Sequence, residues 1–394
     1  MYLDKFSSHI TYSMNVHSGE EWSDHFSAIK NFSLRVKERT APHSAFGLGL
    51  RLSARAARQL SQPGQLPAFR QFLADNGLYV FTINGFPYGN FHGKPVKEAV
   101  YQPDWSERAR WDYTLDLINI LAALLPDNMP GTISTMPCFY KYGSQSGQDA
   151  GPAVRYLAEA ACVLHKLHRE QDREITLCLE PEPDCYPGNT AETLHFFVKQ
   201  LFPGAAACLA EKYGTREDII NRYIGVCFDT CHLAVEFESL ETSLRELTAA
   251  GIKTGKVQLS AAVCTGINPG TREEMLPLCD PVYLHQTRIK TGDSPELIKF
   301  SDLNPETLQA ALQWPGSELR THFHVPLYFA GYGGLRSTAA CLTPAFLQQA
   351  VHHNIPHYEI ETYTFDILPA HLKKIDMVDS IVAEYQWVLN QFFL

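Results

Sequence analysis

The stretch Tyr223–Glu238, YIGVCFDTCHLAVEFE, runs through an apolar segment and then sets an acid at Asp229 and an imidazole at His232. An uninterrupted apolar run of this length is the pattern of a parallel strand buried on both faces. A charge at its end costs several kcal/mol, on the order of magnitude usual for a desolvated polar group, unless something compensates it. In an α/β barrel that place is the rule, because the chemistry sits at the C-terminal ends of the strands.

Working outward, seven further runs read as strands: ITYSMNV (10–16), FGLGLRL (46–52), LYVFTIN (78–84), GTISTMP (131–137), ITLCLE (175–180), GKVQLS (255–260) and HYEIET (357–362). Amphipathic stretches separate them. Asp104 with Glu107, and Asn189 with Glu192, match the reciprocal capping box, and Thr343 precedes a proline at the first helical position. Strand and helix alternating eight times predict a (β/α)8 TIM barrel in one domain, 1–394, with a doubly wound open sheet as the other topology compatible with the pattern. Residues 261–320, rich in Pro, Gly and Thr, read as a long irregular insertion after strand seven that covers the barrel mouth. GYGGLR (331–336) lacks a βαβ context and reads as a hinge or lid loop.

The chain has 394 residues, 45% of them hydrophobic, and a formal net charge of -10. That balance argues against a nucleic-acid surface, which needs a basic face. No apolar run reaches the roughly 18 residues of a membrane span, and MYLDKFSSHI lacks the basic and apolar regions of a signal peptide, so a cytoplasmic protein is expected. The ten cysteines form no CxxC pair and read as reduced core thiols.

Polar residues collect at the strand ends. Strand five ends with Glu180 and Glu182, strand six with Asp229 and then His232, strand seven carries Gln258 and Ser260, RTHFHVP carries His322 and His324, and strand eight carries Glu359 and Glu361. Residues two apart in a strand share a face, so each pair can point into the same mouth. Each has an ordinary structural reading too: Glu180 as an ion-pair partner, Asp229 as a helix N-cap, His232 as a hydrogen-bonded core histidine, HFH as the wet face of a strand. Their convergence favours a bound divalent cation, and mixed carboxylate and imidazole donors suit Mn, Co, Fe or Zn better than Ca, with Mn or Zn foremost.

FDTCHLAVEFE resembles the Asp-Thr-x-His segment at the end of strand six in xylose isomerase-like TIM barrels, a superfamily of sugar epimerases, inosose dehydratases and class IV apurinic endonucleases. LEP of strand five and IETYT of strand eight resemble its two metal-binding glutamates. TYSMNVHSGE, TINGFPYGNFHG, YQPDW, DPVYLHQ, RTHFHVP and HYEIETYTFDILP are together similar to the EboE-type metabolite traffic proteins. The resemblance implies Glu180, Asp229 and Glu361 as metal ligands, and His232 as either a further ligand or a substrate contact. Gln258 stands where the superfamily places a ligand histidine; its carbonyl is a weaker donor, and His324, or else His322, would complete the shell. The implied chemistry is proton transfer beside a polarised carbonyl, with Glu180 and Glu361 as the acid and base and His232 holding a hydroxyl.

The expected substrate is a sugar or cyclitol, and the expected activity that of an isomerase, epimerase or dehydratase. Glu182, His17, Asn84, His92, His322, His285 and Arg288 are candidate substrate contacts, with Asn15 beside them and Phe86 and Tyr88 as apolar walls. A metal phosphoesterase like the apurinic endonucleases and a non-catalytic small-metabolite carrier are the alternatives. FGLGLRLS ends strand two without the histidine that a metal cluster would need, which counts against the phosphoesterase.

Overall fold

The computed structural model describes the chain except residues 90, 91, 93, 94, 144–148, 214–217, 293, 370–372, 374 and 394. Asn90, Phe91 and Gly93 of the TINGFPYGNFHG stretch therefore lie outside the described residues. Nine strands form one sheet, and eight of them run parallel: β1 (Ser8–Tyr12), β2 (Phe46–Arg51), β3 (Leu78–Asn84), β4 (Gly131–Thr135), β5 (Ile175–Leu179), β6 (Ile224–Asp229), β7 (Thr254–Leu259) and β8 (His357–Ile360). From β2 to β8 each pairs with its neighbour in chain order, and β8 pairs back onto β1 with His357 opposite His9. Tyr2–Leu3 adds a short antiparallel edge to β1.

The sheet is nearly closed at the β1–β2 seam, where a single parallel bridge joins Ser13 to Gly49. Thr11 supplies what the missing ladder does not. Its hydroxyl donates to the Gly47 carbonyl at 2.9 Å and accepts from the Gly49 amide at 2.9 Å. Gly49 must be glycine for this approach, since a Cβ there would lie 2.3 Å from Glu359 Oε1 and 2.7 Å from the Tyr12 carbonyl.

Inside the ring the side chains are packed, with one polar layer among them. Lys256 of β7 is fully buried and meets Glu359 of β8 at 2.5 Å, while donating to Thr82 of β3 and Ser134 of β4. Glu359 is thus the partner of a lysine one layer below the mouth, and Glu361, two residues on, is the strand-eight acid that faces the opening.

Between β7 and β8 the chain is not irregular as the composition suggested. It builds an antiparallel sheet in the order Leu297–Phe300, Thr287–Lys290, Glu318–His324, Ala262–Gly266, Leu335–Ser337, reaching well past residue 320. The GYGGLR segment turns into its last strand, with Tyr332 bridged to Leu335. His322 and His324 lie on the longest of these strands and are buried, not on a wet face.

Helix ends follow the expected chemistry at Asn189 and Thr343, whose side chains accept from the Glu192 and Phe346 amides. Asp104 is a correction. Its helix begins only at Arg108, after Asp104 has instead folded a turn by accepting from the Ser106 amide and hydroxyl. Near the end of the helix Gly151–Gln171, His168 Nδ1 lies 2.9 Å from the Tyr223 hydroxyl. Among the described residues no helix is long and apolar enough to cross a membrane.

The buried Lys256–Glu359 pair gives a direct prediction. Lys256→Met leaves an uncompensated buried carboxylate and should lower the unfolding free energy by about 3–5 kcal/mol, whereas Lys256→Met with Glu359→Gln should recover most of it. Urea unfolding of the two variants reads the difference, and equal losses would contradict the pairing.

Candidate functional site

The C-terminal ends of β5, β6 and β8 bring three acids together. Glu180 and Glu361 each follow the last residue of a strand and continue its ladder, their amides donating to the Thr135 and Leu259 carbonyls. Asp229 is the last residue of β6 and also the N-cap of the helix Thr230–Val235. The ordinary reading of Asp229 and the functional one are therefore both realised, one on each oxygen. Oδ1 accepts from the His232 amide at 2.9 Å and the Ser260 hydroxyl at 2.8 Å, while Oδ2 is buried without a partner.

One carboxylate oxygen from each of Glu180, Asp229 and Glu361 falls within 4.8 Å of the others. Glu180 Oε2 is likewise buried and unpartnered. Glu361 Oε1 is fixed by Asn15 at 2.7 Å, Asn84 at 3.2 Å and the Ser13 hydroxyl at 3.4 Å. Burial, then the neighbouring Glu361 and Asp229 charges, hold the Glu180 carboxyl well above the usual range. Burial and Asp229 do the same to Glu361. Acids so crowded, with oxygens left unpartnered, fit a hard or borderline divalent cation, which would be held by these three carboxylates.

The imidazoles stand beside them. His232 Nδ1 lies 3.0 Å from the Pro181 carbonyl, His322 Nδ1 2.7 Å from Gln286 Oε1, and His324 Nδ1 2.8 Å from the Glu361 carbonyl. Burial lowers the pKa of His324 to about 4 and that of His322 well below the normal value. Gln258, the departure from the resemblance, has its carbonyl oxygen 3.1 Å from the Cys227 thiol and its amide nitrogen buried without a partner. Its oxygen is thus turned to a thiol.

A cavity opens above the acids. Of the candidate contacts, Asn84, Glu182, His232 and His322 line it with Asn15 and Phe86. Glu182 accepts from Tyr101 at 2.7 Å and Gln286 at 3.2 Å, and burial raises its pKa.

Four candidate contacts are placed behind the lining instead. His17 is stacked on Phe32 and bonded to the Tyr12 hydroxyl. His92 joins the Asn15 carbonyl at 2.6 Å to the Tyr283 hydroxyl at 2.5 Å. His285 faces the His322 carbonyl and Asp280. Arg288 is engaged by Asp184 at 2.5 Å and Glu236 at 2.7 Å, a buried structural ion pair and not an anion contact. Tyr88 packs on Tyr113, outside the lining.

Sequence reasoning missed the collar of Val96, Val100, Tyr101, Tyr283, Leu284 and Tyr363 that narrows the cavity. Gln286, in the quoted stretch DPVYLHQ, was the available signal for the polar part of this wall.

No protein-family model and no curated protein matches the chain. Among solved structures it is similar to the IolI protein with a bound zinc atom, at 8% identity and TM-score 0.49 over 97% of each chain. It is also similar to the probable 3-DHS dehydratase AsbF of petrobactin synthesis from Bacillus anthracis, at 11% identity and TM-score 0.47 over 97% of this chain and 99% of that one. A third is a xylose isomerase domain protein from Planctomyces limnophilus, at 11% identity and TM-score 0.43 over 88% of each. These neighbours are xylose isomerase-like TIM-barrel proteins. None of the matches bears on the EboE-type resemblance.

Glu384, on the C-terminal helix Met377–Phe393, ties the site from outside. It accepts from the Thr362 hydroxyl at 2.7 Å, next to Glu361, and from the Leu327 amide at 3.0 Å, three residues after His324. Burial raises its pKa from 4.5 to about 7. Between those values the folded protein holds a proton that the unfolded chain has released, so stability is present at low pH and falls as pH rises toward 7. Glu384→Gln should remove about 3 kcal/mol of that fall, at about 1.4 kcal/mol for each pH unit between those two values. Urea midpoints at pH 5 and pH 8 for both proteins check it, and parallel pH profiles would contradict the assignment.

Proposed function

We propose that the chain is a single-domain (β/α)8 barrel of the xylose isomerase-like type, with the 261–320 segment inserted over its mouth. We read it as a divalent-metal-dependent isomerase, epimerase or dehydratase of a sugar or cyclitol. The observation that carries this reading is the buried triad of Glu180, Asp229 and Glu361, with unpartnered oxygens on Glu180 and Asp229. A bound Mn or Zn ion would supply polarisation of a substrate carbonyl.

The remaining work falls to the chain's own groups. β5 and β8 are separated in the ring by β6 and β7, so Glu180 and Glu361 flank the cavity from different sides. Asn15, Asn84 and Ser13 fix Glu361 in one orientation, as a group that takes or returns a proton at carbon requires. Glu182 and Tyr101, backed by Gln286, form a polar wall suited to substrate hydroxyls, and His232 also lines the cavity. The collar of Phe86, Val100, Leu284 and Tyr363 gives apolar surface for C–H faces and excludes water.

The phosphoesterase reading is weaker here. Among the lining residues Lys97 is the one lysine or arginine, and its ammonium is held by Asp302 at 2.6 Å and by the Asp280 and Tyr283 carbonyls. A phosphate would find no available cationic side chain in that wall. The carrier reading predicts tight binding without turnover.

Metal-loaded protein incubated in deuterium oxide with a panel of ketoses and inososes should catalyse deuterium incorporation beside the carbonyl, read by proton NMR. Glu180→Gln and Glu361→Gln should each slow it by about 10²–10⁴-fold, the usual contribution of a positioned acid or base. Absence of exchange across the panel, from protein carrying a full metal complement, would sink the isomerase reading.

A further inference from the structure

We propose that the substrate carries an ammonium group, as an amino sugar or an aminocyclitol does, and that Glu182 is the residue that selects it. The inference rests on the sugar or cyclitol reading above and narrows it.

Glu182 lies three residues beyond β5 and lines the cavity beside Tyr101 of the loop after β3. Its Oε1 accepts from the Tyr101 hydroxyl at 2.7 Å and from the Gln286 amide nitrogen at 3.2 Å, and it has His322 Nδ1 at 3.4 Å. These contacts are all on one oxygen. Among the described residues Oε2 meets no donor and is left to the cavity.

No lysine or arginine among the described residues pairs with Glu182, and this sets it apart from the interior acids around it. Glu359 has Lys256, and Asp184 and Glu236 share Arg288. Asp184 stands only two residues further along the same loop. One acid of that loop is thus neutralised behind the wall, while the other is 5% exposed, faces the cavity and waits for a positive charge from outside the chain.

The rest of the lining has the same polarity, because its donors are spent within the protein. Asn15 and Asn84 give their amide nitrogens to Glu361, and Lys97 gives its ammonium to Asp302 and two carbonyls. The Tyr283 hydroxyl meets His92 Nδ1; the other nitrogen of that ring donates to the Asn15 carbonyl, so Tyr283 is a donor too. What is left over accepts: Asn15 Oδ1 and Glu180 Oε2 are both buried without a partner.

A lining of this kind recognises a ligand by the hydrogens it offers. A hydroxyl offers one, an ammonium three together with a charge, and a carboxylate or phosphate offers none and is repelled. A divalent ion in the triad does not reverse this preference, since three carboxylates outweigh its charge. The rings of Phe86, Tyr101 and Tyr363 also line the cavity, and aromatic faces attract an ammonium further.

The test is calorimetric binding to the metal-loaded, full-length protein at neutral pH, with compounds that differ in one group. Glucosamine, galactosamine and mannosamine are compared with their parent hexoses, scyllo-inosamine with scyllo-inositol, and glucuronic acid serves as the anionic member. At least one amine should bind about 10-fold tighter than its hydroxyl parent, or more, and glucuronic acid should not bind. Glu182→Gln keeps an oxygen for Tyr101 and Gln286 and should abolish the difference between amine and parent, with metal content and circular dichroism those of wild type. Should that variant not fold, the wild-type comparison still decides the preference. Parents that bind as tightly as their amines would overturn the ammonium assignment and leave the sugar reading standing. An amine preference that survives Glu182→Gln would overturn the role of Glu182, and binding by no member of the panel would take away both readings.

Discussion

Three carboxyl groups sharing one buried space cannot all ionise unless positive charge is placed among them, and the rest of this architecture is arranged around that constraint. The lysine that might have served is unavailable, because Lys256 is committed to Glu359 one layer below. Arg288 is likewise committed, to Asp184 and Glu236 behind the wall. The chain uses its buried cations to hold elements together and leaves orphaned carboxylate oxygens of Glu180 and Asp229 at the mouth of the sheet. Such a cluster is unfavourable in isolation and becomes a ligand set in the presence of a divalent ion.

The antiparallel sheet between β7 and β8 completes the site. Its central strand carries His322 and His324 on one face, and a neighbouring segment supplies Tyr283, Leu284 and Gln286. The Arg288 ion pairs fasten this sheet to the β5 and β6 loops, and Lys97 fastens the loop after β3 to it through Asp302 and two carbonyls. These buried contacts set the height of the imidazoles over the acids. Arg288, which looked like a substrate contact in the sequence, is one of the fastenings of the wall.

Much of the frame was legible because parallel strands buried on both faces leave apolar runs that no helix period explains, and all eight are found within a few residues of where the pattern put them. Strand-end acids were legible for the related reason that a charge after such a run is conspicuous. Other features were not. The segment 261–320 looked irregular because Pro, Gly and Thr mask the alternation in TRIK and ELRTHFH. Asp104 mimicked a helix cap while folding a turn before it. The tyrosine and valine collar resembles any packed loop in one dimension, since nothing local distinguishes an aromatic ring that lines a cavity from one that fills a core. Arg288 and His285 showed that proximity in sequence to a useful motif says little about which side of a wall a side chain occupies.

The return of β8 to β1 sets an order of events during synthesis. Asn15 and Asn84 leave the ribosome long before Glu361, the group they hold, and the ring has no last stave until residues 357–360 have emerged. A nascent chain therefore carries an open edge along β1 through most of translation, exposed to wrong partners. The late strand ends that exposure and delivers the final carboxylate of the triad in the same step.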